Sequence, residues 1–193
     1  MTTTSLFRYA GWSAYVSATA TMITFVTAIL FFSIGGPFGK INDISSVVQV
    51  LFMLPVALVL YRLFRPNTQT LSLLAAAVGI AGVMVAVVGQ GLLVFGVITY
   101  QQSLTFFPAG GAIGVWLLLA NYLALTNRKL PQGLAWSGLV AGAGYIVTVV
   151  GFLLGGQQNP LFYAGGLVLV ISYPIWAIWL GRVLSSGSLA VSA

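Results

Sequence analysis

Six apolar runs, each about long enough to cross the hydrocarbon core of a bilayer, fill nearly the whole chain. A membrane-spanning helix needs roughly 20 such residues. The runs fall at about 9–34, 46–64, 71–95, 108–126, 134–154 and 161–184. Turn chemistry separates them: Gly-Gly-Pro at 35–37, Arg-Pro-Asn at 65–67, Asn-Arg-Lys-Leu-Pro at 127–131 and Asn-Pro at 159–160. Of 193 residues, 60% are hydrophobic and 4% are charged, too few charges to make a water-facing surface. That bias places the chain in the membrane class. The expected fold is all-α, a single domain over residues 1–193 built as a polytopic bundle of six transmembrane helices. The short loops leave no room for a separate soluble domain, and only a Ser-rich tail at 185–193 lies outside the pattern. The first run has a second reading as a cleaved signal peptide, with Arg8 as its charged start and Ser33 and Gly35 near the cut. Signal-peptide cores are only about 7–15 residues long, so an uncleaved span is the expectation.

Orientation follows from the basic residues. Arg8 precedes the first run, Arg62 and Arg65 follow the second, Arg128 and Lys129 follow the fourth, and Arg182 closes the sixth. With six spans all of these lie on one side, and the other side holds only Lys40, three residues from Asp43. The positive-inside rule then puts both termini in the cytoplasm. The net charge of +6 is spread singly or in pairs over span ends, so it is no nucleic-acid footprint. Absence of Cys excludes disulfides and thiolate metal sites.

Small residues recur at helical spacing. The third run carries Ala75, Gly79, Gly82, Ala86 and Gly89 on one helix face. A shift of 62 residues leads to Ser137, Ala141, Gly144, Thr148 and Gly151 in the fifth run, and to Ser13, Ser17, Ala20, Thr24 and Thr27 in the first. Such stripes let membrane helices approach closely. They suggest three helical hairpins in parallel repeat, with the odd helices sealed against each other, although the even runs do not keep the same shift. Inverted repeats of the kind found in many transporters are not expected.

The residues of ordinary chemistry are scarce. One acid and no His exclude a Ser-His-Asp triad, a carboxylate pair, and haem or chlorophyll ligation by His. No intramembrane Lys is present for a retinal Schiff base, and no ionisable group is expected near mid-membrane to couple protons. A charged ligand would find no counter-charge inside, so any ligand should be neutral or amphiphilic. No particular cofactor is indicated. The polar inventory of the runs is Gln49, Gln90, Asn121, Tyr61, Tyr145, Ser172, Tyr173 and the hydroxyls of the first stripe. From it, Gln90, Asn121, Tyr145, Ser172 and Tyr173 are the candidate ligand-binding residues. Gln90 and Asn121 have a plainer role open to them, an interhelical hydrogen bond. Pro55 and Pro174 should interrupt their spans. Trp12, Trp176, Trp179 and Tyr163 are expected as interface anchors. On the face without positive charge, the loops supply Gln101 and Gln102, then Gln157, Gln158 and Asn159, with Lys40, Asn42 and Asp43 in the first loop. These are candidates for a headgroup or a partner subunit.

Pro-Gln-Gly-Leu-Ala-Trp-Ser-Gly-Leu-Val-Ala-Gly at 131–142 and Tyr-Pro-Ile-Trp-Ala-Ile-Trp-Leu-Gly-Arg-Val-Leu at 173–184 resemble six-span bacterial membrane proteins known only as domains of unknown function. The resemblance implies six-span topology and a bacterial inner membrane, and no catalytic activity. The expected role is therefore non-enzymatic: a subunit or scaffold of a membrane complex, with the lipid bilayer and other subunits or copies of itself as partners, or a holder of a neutral lipid-like ligand. The alternative is a passive channel or facilitator for a small neutral solute.

Overall fold

The apolar runs become helices because nothing but a helix can satisfy their backbone groups internally without water. The structure, a computed structural model, describes residues 3–186; the Ser-rich tail beyond 186 lies outside the described residues. Eight α-helices follow in order: α1 Thr3–Ile34, α2 Phe38–Leu51, α3 Met53–Phe64, α4 Gln69–Val94, α5 Tyr100–Ser103, α6 Ala109–Asn127, α7 Gln132–Gly155 and α8 Pro160–Ser185. Joined at α2–α3 and α5–α6, they give six helical segments long and apolar enough to cross a membrane. No strand occurs among the described residues. The protein is an all-α bundle.

The second span starts earlier than its apolar run. Gly35 and Gly36 reverse the chain with φ of +70° and +75°, a left-handed conformation that costs glycine nothing. Pro37 then stands at the N-cap of α2. Lys40, Asn42 and Asp43, expected in a loop, therefore lie on the first turns of α2. Hydropathy locates the lipid-facing stretch, and the helix runs beyond it into the interface. Pro55 acts as expected. It lacks the N–H that would bond the Leu51 carbonyl, and the helix breaks between Leu51 and Met53. Pro174 leaves α8 unbroken.

Each helix packs on its neighbours in sequence, and α8 returns to α1, so the six spans form a closed ring. The start of α1 meets the end of α8: Gly181 presses so near the Gly11 carbonyl that a Cβ there would lie 2.9 Å away. Both described ends of the chain thus share one end of the bundle. Each small-residue stripe faces the next helix in the chain. Gly82 abuts Ala112 and Gly89 abuts Phe106, joining the third span to the fourth. Gly144 abuts Leu169 and Gly151 abuts Phe162, joining the fifth to the sixth. Along α1 hydroxyls replace the glycines. Thr24 is hydrogen bonded to Ser45 at 2.8 Å, and Asn42 donates to the Thr24 carbonyl at 2.6 Å. The three hairpins are real packing units. The odd helices are not sealed against each other, however. Each lies between two even ones, because an odd span's stripe is covered by its own hairpin partner.

The outward faces are apolar. Phe32, Phe95, Leu153 and Leu154 are largely exposed. Trp12, Trp136 and Trp179 are exposed near the basic end and Tyr163 near the other. Trp176 departs from the expected anchor role: it is 1% exposed, in the core. Trp179, one turn further along α8, keeps 39% of its surface exposed.

Candidate ligand vestibule

The ring is not filled evenly. At the end away from the termini the helices part around a cavity of about 330 Å³, the small end of the range for ligand pockets, about 300–1,000 Å³. Residues at i, i+3 and i+4 share a helix face. Accordingly α2 contributes Asn42, Asp43, Ser46 and Gln49, and α4 contributes Ala86, Gln90 and Leu93. Tyr100 and Gln157 stand at the rim, and Tyr145 and Ile113 lie deeper. From Asp43 to Val50 the wall of α2 descends about 10 Å at the helical rise per residue.

The floor is a hydrogen-bonded cluster. Gln49 Nε2 donates to the Tyr145 hydroxyl at 3.1 Å. Ser17 donates to the Gln49 carbonyl at 2.8 Å, and its oxygen lies 2.6 Å from the Tyr173 hydroxyl. A serine has one proton. Since that of Ser17 goes to Gln49, Tyr173 is the donor to Ser17. The accounting leaves Gln49 Oε1 and the Tyr145 hydroxyl proton without partners among the described residues. The Gln90 carboxamide and the Asp43 carboxylate, both lining the cavity, likewise make no hydrogen bond to any described residue. Asp43 and Gln90 are part-exposed, so this wall presents open acceptors and donors to whatever fills the cavity.

Below the floor the bundle closes. Tyr173 packs on Trp176 with ring centroids 5.7 Å apart. Trp116 meets Trp176 edge to face at 6.2 Å. Trp176 Nε1 donates to Asn121 Oδ1 at 2.9 Å, and Asn121 Nδ2 donates to the Leu117 carbonyl at 2.8 Å. All these side chains are buried. The vestibule is a blind one, with an aromatic layer beneath it.

The candidate residues thus divide. Gln90 and Tyr145 line the vestibule. Tyr173 supports its floor from behind. Asn121 belongs to the sealed layer, where it makes the plainer interhelical bond. Ser172 bonds back to the Val168 carbonyl at 2.6 Å, outside the cavity. Among the loop amides, Gln157 lines the rim and donates to the Tyr100 hydroxyl. Gln102 forms a capping box with Thr99, Asn159 caps α8 by accepting from the Leu161 N–H at 2.9 Å, and Gln101 and Gln158 are exposed. Asp43 was expected among the outer-face candidates, whereas Ser17 and Gln49 were in the polar inventory of the runs without being candidates. The spacing of 42, 46 and 49 was the available signal. Asp43 stands at the mouth of the cavity, on the first turns of α2, and not near the middle of a span.

Comparison with protein-family models, with curated proteins and with solved structures finds no match for this chain.

Proposed function

We propose that this protein is a non-enzymatic multi-pass protein of a bacterial inner membrane, with both termini cytoplasmic, that holds the polar end of a neutral or amphiphilic lipid-like ligand in the vestibule. The observation that carries the reading is the floor. Gln49 Oε1 offers an acceptor and Tyr145 a donor, both unused and both inside a cavity. One or two hydrogen bonds of this kind suffice for an uncharged group, because nothing charged has to be stripped of water. Absence of His, Cys and a second acid supports a binding role over a catalytic one. The aromatic layer of Tyr173, Trp116 and Trp176 favours holding over conduction, since a solute crossing the bundle would have to part it.

Mass spectrometry after purification in mild detergent tests the proposal. A small amphiphile retained by the wild-type protein and lost from Gln49→Leu is the expected result. Solute flux in proteoliposomes, with no ligand retained, would overturn it in favour of the passive facilitator. A stoichiometric partner subunit with an empty vestibule would favour the scaffold.

A further inference from the structure

Asp43 is the only acid in a chain of net charge +6, and it faces the vestibule without a hydrogen bond or ion pair to any described residue. Six of the seven Lys and Arg stand at the opposite end of the spans. That distance is about 30 Å, several times the screening length of roughly 8–10 Å in ordinary salt. Lys40 lies one turn away on α2, exposed and outside the lining of the cavity. Asp43 is therefore the one negative charge on the vestibule lining, with its nearest basic neighbour, Lys40, outside that lining.

Aromatic rings share the same cavity. Tyr100, Phe106, Phe107 and Phe162 line it with Asp43, and the rings of Phe107 and Phe162 lie 5.6 Å apart, tilted at 42°. Ring faces attract cations, and recognise quaternary ammonium groups in particular. A bare metal ion would require six or more oxygen ligands in place of its water. A single carboxylate in a cavity whose lining also includes phenyl rings suits a bulky, weakly hydrated organic cation better. Depth adds a second condition. Gln49 and Tyr145 lie about 10 Å further in, within reach of an uncharged hydroxyl or carbonyl on the same molecule.

We propose that the polar end of the vestibule's ligand is a substituted ammonium group, paired with the Asp43 carboxylate and packed among the rings, with an uncharged oxygen directed at Gln49 and Tyr145. Asp43 is only part-buried, so pairing there spares both ions the full desolvation cost of a buried salt bridge. The proposal rests on the vestibule being a binding site, and the test separates the two statements.

Choline and its uncharged isostere 3,3-dimethylbutan-1-ol are titrated into the purified full-length protein by calorimetry. Choline should bind about tenfold tighter or better, the range expected of a partly desolvated cation among aromatic rings and a carboxylate. Asp43→Asn should remove that preference and leave the alcohol's affinity unchanged. Gln49→Leu should leave that preference in place, because choline is too short to reach from Asp43 to Gln49 along the wall of α2. Equal affinities in the wild-type protein would overturn the ammonium assignment and leave the vestibule standing as a neutral site. Absence of binding by either probe would overturn both.

Discussion

At the scale of single residues, Asn121 carries the tightest polar fit in the bundle. Its carboxamide occupies the notch over Gly138, accepts from Trp176 and donates to its own helix. Replacing it with Leu leaves the indole N–H with no acceptor and puts a branched carbon against a helix that has no side chain to yield. A double-mutant cycle of Asn121→Leu with Trp176→Phe, followed by thermal unfolding in detergent, should show a coupling of about 0.6–1.7 kcal/mol, the range for membrane interhelical hydrogen bonds. A coupling near zero would mean the contact adds nothing beyond packing. Sequence alone identifies Asn121 as unusual, since an amide in an apolar run has to find a partner. It does not say whether that partner is an indole or a ligand, because the partner comes from a helix 55 residues away. Gln49 and Ser17 are harder still. Each is ordinary in its own run, and only the ring closure that brings α1, α2, α7 and α8 together makes them one floor.

At the scale of helices, close approach is governed by which glycines face backbone. A Cβ on Gly144 would lie 2.9 Å from the Leu169 nitrogen, and main chain cannot move aside as a side chain can. Gly166, on the facing helix, meets nothing within 4 Å. Gly144→Leu should therefore lower stability in detergent by about 1–3 kcal/mol or more. Gly166→Leu should be neutral or slightly stabilising, because Leu is the better helix former. Equal effects from the two would show that α7 and α8 are not in backbone contact. The stripe of which Gly144 is part was legible in the sequence because 4-3 spacing is a property of one helix. What the stripe touches was not legible, since several neighbours satisfy the same spacing. The end of a span is also poorly marked, as Asp43 shows. Polar residues beyond the apolar stretch read as loop, yet the helix continues beneath them.

At the scale of the whole molecule, orientation rests on charge and on the even number of spans. The chain has no cysteine, so single cysteines report cleanly. Gln158→Cys should react with an impermeant reagent added outside intact cells, and Ser186→Cys should react only after the membrane is opened. Labelling of both from the same side would refute six spans with this orientation. The basic residues carry the expected orientation, because the rule by which they are read concerns insertion and does not depend on tertiary packing. The vestibule was not readable in that way, because five of the six spans contribute to its lining.

The contact of Gly11 with Gly181 closes the ring by joining the first helix to the last, at the end shared by both described ends of the chain. A closed circle of hairpins has no structural beginning. A chain reopened at the turn between Arg128 and Pro131, with the old ends bridged by a short flexible linker, would run through the same six crossings with its new ends on the same side of the membrane. Domains whose termini lie close together tolerate such permutation. The rearranged protein should insert, keep its charge bias and unfold close to the temperature of the original.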